Sequence, residues 1–238
     1  MVLPDSAATK TPVVLMPALN EEDSVGGIVS EVIRLFDLPV VVIDDASADR
    51  TRAMARKAGA VVLPLRNHLG AWGATQAGLR YAYKHRYPAA VTMDADGQHP
   101  PAAIGLLLEE LDAGDADVVI GSCTQRGSPA RRAAWALFRQ MTAIRLNDLT
   151  SGFRAYNRRA VSCLVGGDTS LLDYQDLGVL IHLRLQGLRM KEIAVEMRLR
   201  EEGHSRIFAT WWTVMRYLLY TGILCASRSR FSQDNANT

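Results

Sequence analysis

Residues 89–101 read AAVTMDADGQHPP and contain the features on which the fold and the site both depend. The apolar run 89–93 predicts a short buried strand, and Asp94 and Asp96 follow where that strand ends. Gln98 supplies another side-chain oxygen two residues further on. Hard cations such as Mg2+ and Mn2+ prefer oxygen ligands of this kind, with positions left open for a substrate. We therefore predict that Asp94, Asp96 and Gln98 hold a divalent cation, although paired aspartates also occur in ordinary surface turns.

Strands and helices alternate on either side of this stretch. Further β-branched runs predict strands at 13–16, 40–43, 60–63 and 118–121. Cap residues and apolar residues at helical spacing predict helices at 25–36, 51–58, 67–78 and 100–111. This alternation is typical of an α/β fold with a mainly parallel central sheet flanked by helices. Ligands of such sheets bind beyond the carboxyl ends of the strands, where Asp94 and Asp96 are expected.

The second half of the chain is less regular. We expect helices around 131–146 and 177–186, the segment 148–156 between them, and a closing strand at 193–199. One domain should span 1–206, followed by an apolar, aromatic-rich helix and a polar tail over 207–238. Arg216 interrupts the apolar stretch 207–226, which disfavours a membrane span. This stretch is therefore either an amphipathic helix at a membrane surface or a helix packed on the domain's own core.

Composition narrows the class of protein. A net charge of +2 over 238 residues, without a dense Lys/Arg block, argues against a nucleic-acid partner. Cys123, Cys163 and Cys225 are widely spaced and odd in number, which argues against a zinc site or a disulfide framework. The polar residues 1–10 contain no apolar core of signal-peptide length. We expect a cytoplasmic protein, peripheral on the inner face of the cell membrane if 207–226 contacts lipid.

Polar clusters also follow the first two predicted strands. The carboxylate of Asp45 could accept hydrogen bonds from a nucleobase or a ribose, or it could cap the helix that begins near Thr51. Glu21 could contact the same ligand, or it could only complement the dipole of the next helix. His99, close to the paired carboxylates, could bind a ligand or hold its own loop in place. The residues themselves leave each of these alternatives open.

Three other segments could contact phosphate or an acceptor. Residues 67–73, NHLGAWG, place Asn67 and Gly70 in a glycine turn before a helix, but without the spacing of a P-loop or dinucleotide motif. Arg131 lies in a basic stretch that either clamps phosphate oxygens or begins a solvated helix. Asp176 precedes an apolar helix and could be its cap.

Taken together and in this order, these segments resemble a family 2 inverting glycosyltransferase of the GT-A fold. They are close to the dolichol- and polyprenyl-phosphate mannosyl and glucosyl synthases. The resemblance runs from Pro17 to about Ile207. The matching stretches are PALNEE (17–22), IDDASADRTR (43–52), the glycine segment 67–78, DADGQHPP (94–101), VIGS (119–122), DLTSGFRAYNR (148–158) and R-x-x-G-x-S at Arg200, Gly203 and Ser205.

The resemblance implies a role for each matching residue. Those expected to bind the nucleotide-sugar are Pro17, Ala18, Asn20, Glu21, Asp45, Asn67, Gly70, Asp94, Ala95, Arg154, Arg200 and Ser205. Asp96 and Gln98 would hold the metal. The residues expected to face the phosphates or the acceptor are Arg131, Ser151, Arg154 and Arg200. Cys123 stands where the family has an arginine, so Arg126 or Arg131 would complete the phosphate clamp.

The implied reaction moves a hexose from a GDP- or UDP-sugar to an acceptor, most simply a polyprenyl phosphate at the membrane surface. The expected catalytic residues are Asp96, Arg131 and Asp176. A phosphate acceptor is already anionic and needs no strong base, whereas for a hydroxyl acceptor Asp176 is the candidate base. Transfer to a soluble hydroxyl, sugar nucleotidyl transfer and a silent nucleotide-binding scaffold are the alternatives. The sequence is also compatible with a homo-oligomer.

Overall fold

In the first half of the chain, strands form where the β-branched runs occur, and helices form between them. The computed structural model describes residues 11–122, 146–148, 151–166, 169 and 177–196. The strands in these residues are β1 (Val13–Ala18), β2 (Val40–Asp44), β3 (Val61–Pro64), β4 (Ala89–Thr92), β5 (Val118–Ser122), β6 (Arg154–Asn157) and β7 (Met190–Ala194). The helices are α1 (Val25–Phe36), α2 (Thr51–Lys57), α3 (Gly70–Lys84), α4 (Ala103–Asp112), α5 (Arg158–Leu164) and α6 (Leu177–Leu185).

All seven strands belong to one sheet, in the order β3-β2-β1-β4-β6-β5-β7. β6 is antiparallel to both of its neighbours, β4 and β5, and every other pair is parallel. In the parallel part, Ala18 lies opposite Asp44 and Leu15 lies opposite Thr92. The carboxyl ends of β1, β2 and β4 therefore lie along one edge of the sheet. Because β6 runs the other way, it starts at this edge, with Arg154 opposite Thr92.

Helices cover both faces of the sheet, because successive side chains of a strand point to opposite faces. On one face, α1, α2 and α4 pack on alternate strand residues such as Val14, Val42 and Val91, all fully buried. On the other face, α3 packs on β1, β2 and β4, and α5 packs on α3. The approach of α3 is close: a Cβ atom on Gly78 would lie 2.8 Å from Ile43 Cδ1. Burial on both faces explains why these strands are continuous apolar runs.

The first half of the fold confirms the sequence prediction. Strand ends lie within two residues and helix ends within three of those expected, except that α3 continues to Lys84, six residues past its expected end. The closing strand, predicted at 193–199, is wrong in position, because β7 spans Met190–Ala194. β7 lies at an end of the described strand order and none of its residues is fully buried, so an edge strand of this kind tolerates the charged Lys191 and Glu192. β6 and α5 were not predicted; β6 contains the buried Arg154, which hides its strand character.

The described residues all belong to one compact unit, Met1–Gly127 with Leu146–Leu199. A second unit, Ser128–Arg145 with Arg200–Thr238, lies outside the described residues. The helix expected around 131–146, apart from its last residue, and the apolar stretch 207–226 fall there. The expected domain boundary at residue 206 therefore stays a prediction.

Candidate functional site

The Asp94–His99 turn, which follows β4, is held by its own side chains. The amide of Asp94 donates to His99 Nδ1 at 3.0 Å. The Asp96 carboxylate accepts two hydrogen bonds from Gln98, one from its backbone N–H at 3.0 Å and one from its Nε2 at 2.6 Å. Gly97 adopts a φ of 78°, which favours glycine. The turn is thus preorganised, and about half of the Asp94 side chain, 47%, is exposed at the edge.

The buried side chain of His99 holds this turn in place. The ring is 4% exposed and stacks on Phe153 with 5.1 Å between ring centroids. Since Nδ1 accepts the Asp94 amide hydrogen, the proton of a neutral ring is assigned to Nε2. The geometry therefore favours the loop-holding role for His99 among the two roles that the sequence left open.

Ser24 connects the turn to a different loop, and sequence reasoning missed it. Ser24 occupies the N-cap position of α1, yet its side chain makes no capping hydrogen bond. Its hydroxyl donates instead to the carbonyl oxygen of Ala95, at 2.6 Å. Ala95, which was predicted to bind the nucleotide-sugar, is 2% exposed. A serine before a helix predicts a cap, and nothing in the sequence reveals a partner 71 residues away.

The β1–α1 and β2–α2 loops are joined by reciprocal hydrogen bonds. The amide of Asn20 donates to Ser47 Oγ at 3.0 Å, and Asn20 Oδ1 accepts from the amide of Ala48 at 2.9 Å. The amide of Glu21 donates to Thr51 Oγ1 at 2.8 Å. Asn20 takes a φ of 55°, a conformation that asparagine tolerates better than most residues. Asn20 and Glu21, both predicted to contact the nucleoside, are therefore fixed in place by the neighbouring loop.

Asp49, and not Asp45, holds the start of α2. Its carboxylate accepts the amide of Thr51 at 2.9 Å and the amide of Glu22 at 3.1 Å. Burial raises the pKa of Asp49, but the hydrogen bonds from the Thr51 hydroxyl, the Thr51 amide and the Glu22 amide outweigh it, so the pKa is lowered overall. Asp49 stays ionised at neutral pH, and Asp45 is left for another role.

Asp45 connects β2 to the glycine segment. One carboxylate oxygen accepts the amide of Leu69 at 2.7 Å, and the other lies 2.8 Å from His68 Nδ1. Asp45 is 3% exposed, whereas the His68 side chain is 60% exposed. Gly70, which begins α3 directly after Leu69, has a φ of 77° and so needs glycine. Sequence reasoning missed His68, although its position within the motif and next to Asn67 was a usable signal.

The remaining predicted residues divide into four groups. Pro17 and Ala18 lie at the end of β1, on the same edge as Asp45 and Asp94. Asn67 is exposed in the segment before α3. Ser151 and Arg154 are both buried beside this edge, and Ser151 Oγ donates to the carbonyl of Gly121 at 2.5 Å. Arg131, Asp176, Arg200 and Ser205 lie outside the described residues.

The side-chain oxygen atoms of the turn suit a hard divalent cation whose remaining coordination positions are filled by a substrate. Two carboxylates and one amide oxygen come from alternate residues within five consecutive positions, 94–98. Mg2+ normally takes one or two carboxylates, and substrate phosphates complete its shell. Within the described part of the chain, no three His, Cys, Asp or Glu side chains gather into a complete protein cage for a metal.

None of the helices in the described residues has the length and apolar character needed to cross a bilayer.

A mainly parallel sheet with this carboxylate turn at its carboxyl edge is the GT-A fold of glycosyltransferases. The chain belongs to glycosyl transferase family 2, whose sequence model matches residues 13–165. It is a glycosyltransferase.

Two curated relatives and one solved structure illustrate the likeness. The polyprenol monophosphomannose synthase of Mycolicibacterium smegmatis is 29% identical over 221 residues, covering 84% of this chain and 82% of the relative. The undecaprenyl-phosphate mannosyltransferase of Micrococcus luteus is 32% identical over 187 residues, covering 71% and 75%. Glucosyl-3-phosphoglycerate synthase from Mycobacterium tuberculosis, solved with Mn2+, UDP-glucose and phosphoglyceric acid, superimposes with a TM-score of 0.69 at 21% identity, covering 92% and 81%.

Proposed function

We propose that this glycosyltransferase moves a hexose, with inversion, from a GDP- or UDP-linked donor to a polyprenyl phosphate. The observation that carries the proposal is the shared edge: the Asp94–His99 turn and the loop residues Asn20, Glu21 and Asp45 lie at the carboxyl ends of neighbouring strands. One side of that edge offers acceptors for a nucleoside, and the other offers carboxylates for a cation. A nucleoside diphosphate is a ligand whose two ends match these two sets.

The donor would bind with its nucleoside against the joined loops. Asp45 is a buried carboxylate with both oxygens already oriented by Leu69 and His68, so it can accept a base N–H without reorganising. Asn20 and Glu21 would contact the ribose or the base from the β1–α1 loop, and Pro17 and Ala18 would form the floor at the end of β1.

The diphosphate would lie over the Asp94–His99 turn. Asp94, Asp96 and Gln98 would hold Mg2+ or Mn2+, and the cation would offset the negative charge that develops on the leaving diphosphate. The solved relative with Mn2+ and UDP-glucose supports this choice. The turn is held by Gln98 and His99 before any ligand enters, so little reorganisation is required of the protein.

Two relatives support this acceptor, since one is a polyprenol monophosphomannose synthase and the other an undecaprenyl-phosphate mannosyltransferase. A phosphate oxygen is already anionic, so its attack on the anomeric carbon needs no strong base. Arg154 lies buried beside this edge, and Arg131 and Arg200, outside the described residues, stay predicted to neutralise phosphate. Residues 207–226 would bring the enzyme to the membrane surface as an interfacial helix. If the acceptor were a hydroxyl, Asp176 would be the base.

Donor and acceptor can be tested separately with the full chain. Hydrolysis of GDP- and UDP-sugars with Mn2+ identifies the donor, because slow donor hydrolysis needs no acceptor. Release of pyrophosphate instead of nucleoside diphosphate would favour a nucleotidyltransferase, and no turnover of any sugar nucleotide would favour a silent scaffold.

The acceptor test compares two lipids that differ in one group. Vesicles containing polyprenyl phosphate should accept labelled hexose, and vesicles containing the matching polyprenol should not. Transfer to the polyprenol, or only to soluble hydroxyl compounds, would contradict the proposal.

Vesicle flotation of a variant with Trp211→Ala and Trp212→Ala tests whether 207–226 contacts the membrane. Flotation equal to that of the wild type would contradict that role.

A further inference from the structure

Ser24 has a position that a helix cap does not explain. A capping serine accepts a hydrogen bond from a backbone N–H of the first helical turn, and Ser24 makes no such bond. Its hydroxyl lies 2.6 Å from the carbonyl oxygen of Ala95, the middle residue of the carboxylate pair. Ser24 is half-buried and Ala95 is 2% exposed, so water is poorly placed to replace this contact.

The Ala95 carbonyl accepts a hydrogen bond from outside the turn, whereas two other groups of the turn are held by the turn's own side chains. His99 fixes the amide of Asp94, and Gln98 fixes the carboxylate of Asp96. The peptide unit between Ala95 and Asp96 sets the direction in which the Asp96 side chain leaves the backbone. In the described hydrogen bonds, the hydroxyl of Ser24 is the side-chain donor to that peptide unit.

Ser24 also touches the loop assigned to the nucleoside. Its Oγ lies 3.2 Å from Glu21 Oε2, and a hydroxyl has one proton to donate. The shorter distance assigns that proton to Ala95, and the Glu21 carboxylate is the weaker competitor. Glu21 is itself held by Thr51 through its backbone amide. Loss of the Ser24 hydroxyl should therefore loosen the carboxylate turn and leave the nucleoside loop in place.

We propose that Ser24 is a positioning residue for the cation: by fixing the Ala95 carbonyl, it orients the carboxylates of Asp94 and Asp96. This inference rests on the proposed metal-dependent function. It predicts an effect on cation binding alone, because the loop residues Asn20 and Glu21 keep their own hydrogen bonds to Ala48 and Thr51.

The test measures two affinities in the full chain. Metal-free titration first identifies whether UDP or GDP binds, and gives its affinity. Mn2+ is then titrated with that nucleotide saturating, and free Mn2+ is followed by electron paramagnetic resonance. Ser24→Ala should weaken Mn2+ binding by roughly three- to tenfold, the effect of one well-formed hydrogen bond. Its metal-free nucleotide affinity should equal that of the wild type.

Two variants serve as controls. Ser24→Thr keeps the hydroxyl and should restore Mn2+ affinity. Ser162→Ala removes a hydroxyl that donates to the carbonyl of Arg159 at 2.7 Å on an exposed part of α5, and it should leave both affinities unchanged. If Ser24→Ala folds poorly, Ser24→Cys gives the same comparison, because a thiol is a weak donor of similar size.

The outcomes separate this inference from the proposed function. Equal Mn2+ affinity in Ser24→Ala and the wild type would overturn the role of Ser24 and leave the metal assignment intact. Parallel losses of metal and nucleotide affinity would show general loosening of the loop and would also overturn it. A wild type that binds nucleotide but no Mn2+ would overturn the proposed metal dependence, and this inference with it.

Discussion

The carboxylate of Asp45 accepts the backbone amide of Leu69 at 2.7 Å, and this hydrogen bond connects the end of β2 to the start of α3. The second oxygen of Asp45 pairs with His68 at 2.8 Å. A buried carboxylate with both oxygens oriented is an acceptor of fixed direction. This makes Asp45 the residue whose replacement best separates ligand binding from folding.

Asp45→Asn should weaken nucleotide binding without unfolding the protein. The asparagine oxygen can still accept from Leu69, and its amide can donate to His68 after that ring changes tautomer. The lost negative charge should lower the affinity for the nucleoside diphosphate by roughly tenfold or more. Isothermal titration calorimetry measures the affinity, and Asp115→Asn, at an exposed position, is the control. Unchanged affinity in a folded Asp45→Asn variant would remove Asp45 from the binding site.

Asp96→Ala should abolish the stimulation of donor hydrolysis by Mn2+. The substitution removes one of two proposed carboxylate ligands together with the acceptor that holds Gln98. Loss of metal assistance should reduce turnover by roughly a hundredfold or more. Asp112→Ala, at the exposed end of α4, should keep the wild-type response to Mn2+. The same Mn2+ dependence in both variants would contradict the metal assignment.

The sequence predicted the parts of this structure that depend on local patterns. The alternation of apolar runs and helical periodicity located β1 to β5 and placed Asp45 and Asp94 at one edge, because parallel strands share an edge. β6 was missed, since Arg154 is buried in it at 1% exposure and interrupts the apolar pattern.

The hydrogen bonds that orient the site were beyond sequence reasoning for a different reason. Ser24 reaches Ala95 across 71 residues, and Asn20 reaches Ala48 across 28. Serine and asparagine suit caps and turns wherever they occur, so their residue type does not reveal a distant partner. The pairing of β1 with both β2 and β4 is what brings these loops together.

Asp117→Asn should lower stability at neutral pH. Asp117, just before β5, is 4% exposed and accepts the Arg189 amide at 2.8 Å and the Asn157 side-chain amide at 2.9 Å. An asparagine there would point an N–H at one of these donors, so the free energy of unfolding should fall by about 1–3 kcal/mol. Urea denaturation measures the loss, with Asp115→Asn as the exposed control.

The same variant should also change the dependence of stability on pH. Burial raises the pKa of Asp117, but hydrogen bonds from Arg189 and Asn157 and the charge of Arg159 outweigh it, so the pKa lies below 3.8. A lowered pKa means that the stabilisation is complete above 3.8 and is lost as pH falls through the folded-state value. The difference between wild type and Asp117→Asn should therefore shrink in acid. A difference that stays constant below pH 3.8 would contradict this account.

Gly121→Ala should disturb the site through the core. A Cβ atom at Gly121 would lie 2.7 Å from Phe153 Cδ1, and the Phe153 ring stacks on His99, which holds the amide of Asp94. Displacing this packed ring should cost about 1–3 kcal/mol of stability and reduce donor hydrolysis. Gly27→Ala is the matched control, since a Cβ atom there meets nothing within 4 Å and a helix interior favours alanine. Melting temperature and turnover equal to the wild type in Gly121→Ala would show that this ring does not support the turn.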